Sequence, residues 1–216
     1  MVDTFKYRQV GSSSMLFSMG IGIFIIASLV YSGTSVAALA GSPVAEKTRE
    51  TLSYVYNGTF YGCGLAFLHW LYNLAENCRA LGVRGMRYTP VKTLLWWFIP
   101  ILNLVVPYRV MQEIWRASKP EIPVPDDWDT REGSKLIVVW WIVYVVGGIL
   151  GVFAVYQQGQ TEGPGYFAID LLVGVGDIAS AVLVMMVVRA VTRRQNEFAG
   201  LSGFDSGEQT QRRESI

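Results

Sequence analysis

Asp170 and Asp177 are the only charged residues between Gly163 and Val188, a stretch that is otherwise apolar. A carboxyl group inside a membrane span is costly unless it faces protein or water, so such a residue is a functional candidate by default. Spaced i, i+7, the two share one helix face with Gly174. Asp177 falls near the middle of the apolar run. It suits a proton or cation relay, or a hydrogen bond that fastens neighbouring helices. Asp170 falls near the outer boundary, where water can solvate it.

Gly174-Val175-Gly176-Asp177 also matches the Gly-x-Gly-Asp motif of intramembrane aspartyl proteases. That chemistry needs two carboxyl groups sharing a proton. Asp170 lies about 10 Å along the same helix, too far to be the partner. No other span offers an aspartate, so the second group would have to come from another subunit. A second polar set, His69, Asn73, Glu76 and Asn77, is spaced i, i+4, i+7, i+8 and forms one helical stripe. The stripe could face Asp177 as part of a relay. For Asn73, Glu76 and Asn77 the favoured role is to bond backbone groups freed at Pro100 and Asn103. His69 is the only histidine. A metal site normally needs three or four ligands, and Cys63 and Glu76 sit on other turns, so neither a metal nor a cofactor is implied. His69 reads instead as a buried group bonded between helices. Cys63 and Cys78, about 22 Å apart along one helix, read as small apolar side chains rather than a disulfide.

These residues need membrane helices to position them. The chain is 51% hydrophobic and 16% charged, against about 25% charged in ordinary soluble domains. Uncharged windows run over 9–45, 51–75, 93–108 and 136–161. A helical span needs about 20 apolar residues. The windows predict an all-α integral membrane protein with four transmembrane helices, a Pro-broken re-entrant hairpin and a cytoplasmic interfacial amphipathic helix. Residues 1–14 are a cytoplasmic lead, 15–194 a single membrane domain and 195–216 a disordered cytoplasmic tail. Spans cover about 15–39, 60–80, 136–156 and 166–188. The first is too long for a signal peptide core and reads as retained. Residues 41–56 read as a polar loop, followed by the glycosylation pattern Asn57-Gly58-Thr59. Residues 119–135 read as an extended, exposed linker.

The re-entrant segment covers 90–106. Thr89 caps a helix starting at Pro90, which would run to Ile99, rise about 15 Å and break at Pro100. Pro107 opens the interfacial helix over 107–117. Val110, Met111, Ile114 and Trp115 form its lipid-facing side; Arg109, Gln112, Glu113 and Arg116 form its polar side. Trp96, Trp97, Tyr108 and Trp115 are candidate interfacial anchors.

Lysine and arginine favour the cytoplasmic side of short loops, so their count fixes the threading. With a re-entrant centre and both termini inside, the split is sixteen inside against two outside, Lys47 and Arg49. A centre that crossed fully would give twelve against six at best. The re-entrant threading wins. Arg79, Arg84, Arg87, Lys92, Arg109 and Arg116 then form a cytoplasmic basic collar suited to orientation and to anionic lipid headgroups. The net charge of +1 implies no nucleic-acid partner.

Phe67-Leu68-His69-Trp70-Leu71-Tyr72, Asn77, Ala80-Leu81-Gly82 and Tyr88-Thr89-Pro90 form the first part of a longer signature. Trp97-Phe98-Ile99-Pro100-Ile101-Leu102-Asn103-Leu104, Pro107-Tyr108, Met111, Glu113 and Trp115 complete it. Together with Trp140-Trp141 and Arg193-Arg194-Gln195, this pattern resembles the bacterial membrane protein family catalogued as domain of unknown function 4328. The resemblance covers roughly 60–196. It implies a bacterial inner-membrane protein and brings no activity, ligand or catalytic residue. The leading expectation is therefore a membrane-embedded structural or interaction protein, a homo-oligomer or a partner of another membrane protein. The alternative is a small-solute or proton transporter or channel using Asp177 and the His69/Asn73/Glu76 stripe. A protease built on Asp177 is the remote third, for want of a convergent catalytic set.

Overall fold

The computed structural model describes residues 7–42, 44, 46–158 and 164–203. The lead up to residue 6 and the tail from 204, both assigned above to the cytoplasm, lie outside the described residues. Six α-helices occur among the described residues, with no strand: α1 Val10–Leu39, α2 Glu46–Ala80, α3 Pro90–Leu95, α4 Val106–Ala117, α5 Lys135–Gln158 and α6 Pro164–Leu201. Helices α1, α5 and α6 are long and apolar enough to cross a membrane. Helix α2 is as long, but tyrosine, asparagine and threonine dilute its uncharged stretch.

Several expected boundaries shift. The polar loop over 41–56 is largely helix, because α2 starts at Glu46, and the pattern at Asn57 lies within α2 rather than in a loop. Helix α6 runs thirteen residues beyond Val188 to Leu201, so the tail expected from 195 begins as helix. Buried Val191, Phe198 and Ala199 hold that extension. Thr89 caps α3 and Pro90 opens it, as the sequence predicts. The helix nevertheless ends at Leu95, four residues early, with a rise of about 9 Å. Pro100 has no N–H for the Trp96 carbonyl, and the residue before a proline avoids helical backbone. The chain tightens ahead of it instead, with Trp97 N–H donating to Leu94 O and Phe98 N–H to Leu95 O, both at 3.1 Å.

The chain divides into two compact units. Among the described residues the first comprises 7–16, 67–137 and 187–203; the second comprises those within 17–66 and 138–186. In the first unit α4 is the centre, not an interfacial helix. Val110, Met111 and Ile114 are fully buried in protein, so its apolar face is not offered to lipid. Part of its polar face is covered as well. The buried Gln112 amide donates to Ser134 O at 2.9 Å and accepts from Ser134 N–H at 2.8 Å. Gly133 leaves room for this pair, since a Cβ there would fall 2.6 Å from Gln112 Oε1. The expected open linker is pinned in the same way. Trp128 is buried, and its indole N–H donates to Arg84 O at 2.8 Å.

In the second unit Phe17, Ile21 and Phe24 of α1 are buried, and Phe24 packs on Tyr56 and Phe60 of α2. Gly174 of α6 lies so close to Ser32 of α1 that a Cβ could not be added without moving the serine. Gln112→Ala would strand the buried backbone groups of Ser134. Thermal unfolding of the purified protein in detergent should show a loss of about 2–3 kcal/mol.

Candidate functional site

The first unit is organised round two buried amides. Asn77 on α2 accepts from Arg8 N–H and donates to Arg8 O, both at 2.8 Å, and also donates to Gln195 Oε1 of α6 at 3.2 Å. Gln195 Nε2 donates to Leu74 O at 3.0 Å and lies 3.2 Å from both Cys78 Sγ and Ser118 Oγ. Beside this knot, Trp70 Nε1 donates to Thr192 Oγ1 at 3.1 Å.

The polar stripe on α2 thus does not hold the broken segment, as expected of it, because it has nearer partners. Glu76 pairs with Arg8 at 2.9 Å and accepts from Tyr72 at 2.7 Å. His69 is exposed and bonds Asn73 on its own helix at 3.2 Å, which corrects the reading of a buried interhelical histidine. Asn103 Oδ1 is buried without an acceptor's partner among the described residues. Of the signature residues, Trp97 packs edge-on against Phe67 with centroids 5.2 Å apart, and Pro107 is buried. Tyr108 is half-buried. Glu113 accepts from the backbone N–H groups of Arg87 at 2.6 Å and Tyr88 at 3.4 Å. Burial pushes the Glu113 carboxyl above its usual range, and those two amides only partly offset the shift. The collar does not act as one patch. Arg84, Arg87, Lys92 and Arg109 are exposed, whereas Arg79 turns inward to donate to Tyr88 O at 2.8 Å.

The second unit holds the aspartates. Asp170 pairs with Arg49 of α2 at 3.1 Å and accepts from Ser35 of α1 at 2.5 Å. Arg49 also donates to Thr34, to Ser35 at 3.0 Å, to Tyr166 at 3.2 Å and to Tyr31 at 3.4 Å. Its guanidinium lies 4.9 Å from the Tyr31 ring centre and 5.1 Å from that of Phe167. Asp177 accepts from the Tyr56 hydroxyl, and Tyr56 stacks on Tyr31 at 5.3 Å. Asp177 therefore has a hydroxyl, not the Asp170 carboxyl, as its hydrogen-bond partner. Both carboxylates are engaged separately, so no shared-proton pair forms between them. A cavity of about 330 Å³ adjoins this network, lined by Tyr31, Ser53, Tyr56, Asn57, Tyr166 and Asp170, among others.

A family model described as a domain of unknown function (DUF4328) matches residues 34–195. The chain belongs to that family. The match begins at Thr34 and closes at Gln195, so the DUF4328 region contains Arg49, both aspartates and both knot amides. No curated protein and no solved structure matches the chain.

Sequence reasoning missed Arg49, Tyr56 and Gln195. Arg49 entered only as an outside charge; its signal was a cation just ahead of one apolar run, with an aspartate near the start of another. Gln195 gave no signal beyond closing the family signature. Asn77→Ala and Gln195→Ala should each cost about 2–4 kcal/mol, and the pair less than the sum, in a double-mutant cycle read by thermal unfolding. Because the folded state holds the Glu113 proton more tightly than the unfolded chain, raising pH from the unfolded pKa through the folded one removes stability. The melting temperature should fall over that range, and the fall should be smaller in Glu113→Gln.

Proposed function

We propose that this chain is a four-span, membrane-embedded structural or interaction protein of a bacterial inner membrane, with a re-entrant hairpin over 90–106 and both termini cytoplasmic. The observation that carries this reading is that Arg49, Asp170 and Asp177 of the second unit each have partners within it. Arg49 answers Asp170, Tyr56 answers Asp177, and hydroxyls fill most of what remains. A relay needs a group free to exchange its partner; these behave as fasteners between α1, α2 and α6.

Counting α2 as the fourth span rests on the same contacts. Arg49, Tyr56, Glu76 and Asn77 bond protein groups, so much of what makes the helix less apolar than its neighbours is answered within the protein. The division of the chain also supports the threading. Thirteen described lysines and arginines assigned inside, including the five collar arginines and Lys92, belong to the first unit. The two assigned outside, Lys47 and Arg49, belong to the second. In the turn before α4, Phe98, Ile99, Ile101, Leu102, Leu104 and Val105 are exposed apolar side chains, which suits a loop that dips into lipid. Partners would then be copies of this chain or other membrane proteins, met on the exposed apolar faces of α1 and α5.

The cavity beside Asp170 favours a second reading, a site for a small polar solute or proton on a transport path. Purified protein in liposomes separates the two. Asp177→Asn, which keeps a side-chain oxygen for Tyr56, should fold with little loss and leave proton and solute flux at the level of empty vesicles. A flux present in the native protein and lost in that variant, with its melting temperature unchanged, would decide for transport. Arg49→Ala should cost about 3–5 kcal/mol by leaving Asp170 buried and unpaired, and removing Asp170 as well should restore part of it.

A further inference from the structure

Ser28 of α1 has no accessible surface, and its hydroxyl has no hydrogen-bond partner among the described residues. A buried hydroxyl left unsatisfied is costly and calls for an account. Contacts on either side bracket its position. Phe24, Ser28 and Tyr31 are spaced i, i+4, i+7, and both rings lie against the Tyr56 ring of α2, with centroids 5.7 and 5.3 Å away. Ser28, Ser32 and Ser35 repeat that spacing in a second row, and this row meets α6. Ser35 donates to Asp170 at 2.5 Å, and a Cβ on Gly174 would overlap the Ser32 hydroxyl. Numbers fall along α1 as they rise along α6, so the two helices run antiparallel here. The same seven-residue step, from Ser35 to Ser28 and from Asp170 to Asp177, brings Ser28 level with Asp177. The Tyr56 hydroxyl donates to Asp177 at that level. Ser28 thus stands where α1, α2 and α6 meet.

Charge at this junction does not balance. Asp170 has Arg49 at 3.1 Å, whereas Asp177, among the described residues, has a hydroxyl and no cation. We propose that Asp177, Tyr56 and Ser28 form a site for a small monovalent metal cation such as sodium. The donors are a carboxylate and two hydroxyls, the hard oxygen ligands that such ions prefer. The Tyr56 hydrogen goes to Asp177, which leaves the Tyr56 oxygen lone pairs for an ion. The Ser28 oxygen has nothing else to serve. One unanswered negative charge calls for one positive charge; a divalent ion would leave a surplus buried charge in its place. Tyr56, Ser32 and Gly174 also line the 330 Å³ cavity, which gives the ion a way in and room for water to complete its shell. A cation bound there ties α1, α2 and α6 together at a second level, beyond the fastening that Arg49 and Asp170 provide.

The test follows thermal unfolding of the full chain in uncharged detergent at fixed pH and ionic strength, with sodium chloride replacing choline chloride stepwise. A saturable rise in melting temperature with sodium is expected, because the ion binds the folded chain alone. Asp177→Asn, which keeps an oxygen for Tyr56, should abolish the rise. Ser28→Ala has no protein bond to lose, so its melting temperature in choline should match that of the native chain. Its half-saturating sodium concentration should rise about tenfold. The exposed control Glu46→Gln should leave that concentration within about twofold. If Asp177→Asn does not fold, Ser28→Ala decides by itself. No saturable rise in the native chain, an equal rise in Asp177→Asn, or an unchanged half-saturation in Ser28→Ala overturns the proposal. Neither threading nor flux enters the reading, so it can fail while the fastening by Arg49 and Asp170 stands.

Discussion

The contact on which the first unit depends is the buried hydrogen bond between Asn77 and Gln195. Neither side chain has accessible surface, so neither amide can fall back on water. Each must therefore find its partners within the unit, and those partners are dispersed: the backbone at Arg8, the Leu74 carbonyl, Cys78 and Ser118. One pair of amides thereby fixes the approach to α1, the end of α4 and the late turns of α6 against α2. Apolar packing alone would tolerate sliding of smooth helices. A satisfied amide network permits one register, because any slip leaves several buried polar groups unmatched at once.

The second unit solves a related problem with charge. Arg49 and Asp170 have only about a tenth of their side-chain surfaces accessible, and a buried ion pair is worth little by itself because desolvation offsets the attraction. What makes this one tolerable is the surrounding set of hydroxyls from Thr34, Ser35, Tyr31 and Tyr166, which take up the remaining donors. The arrangement is expensive to assemble and more expensive to break, which is why it serves specificity of helix pairing better than net stability. Gly174 contributes from the backbone side by letting α6 approach Ser32. That close approach gives the Gly-x-Gly-Asp pattern a packing explanation that owes nothing to proteolysis.

What the sequence disclosed and what it withheld follow from the range of the signals. Runs without charge marked α1, α5 and α6, because lipid and buried protein both require such runs. Thr89 and Pro90 marked the start of α3, because capping is decided within four residues. The lateral partners were not legible. Asp177 was noticed for its cost, yet nothing in its own neighbourhood pointed to Tyr56, 121 residues away. Helix α4 shows the same limit in another form. Its periodicity correctly sorted the residues into two faces, but periodicity cannot say whether an apolar face meets lipid or protein. Val110, Met111 and Ile114 meet protein.

That relocation of α4 changes how the hairpin before it is held. An interfacial helix lying in headgroups would let the preceding turn rise and sink with the membrane surface. A helix locked into the first unit by Gln112 and its buried apolar face leaves the turn no such freedom. The turn's backbone is served by short-range bonds, Asn103 N–H to Ile99 O at 2.7 Å and Val105 N–H to Leu102 O at 3.1 Å. It therefore carries its own hydrogen bonding into whatever surrounds it, which is the condition for non-helical backbone to enter lipid. At its tip Ile101 is 80% exposed and Phe98 69% exposed, and removing such apolar surface from water lowers free energy whatever covers it. A fixed base, a turn with backbone bonds of its own and an apolar tip are what the chain presents between α3 and α4.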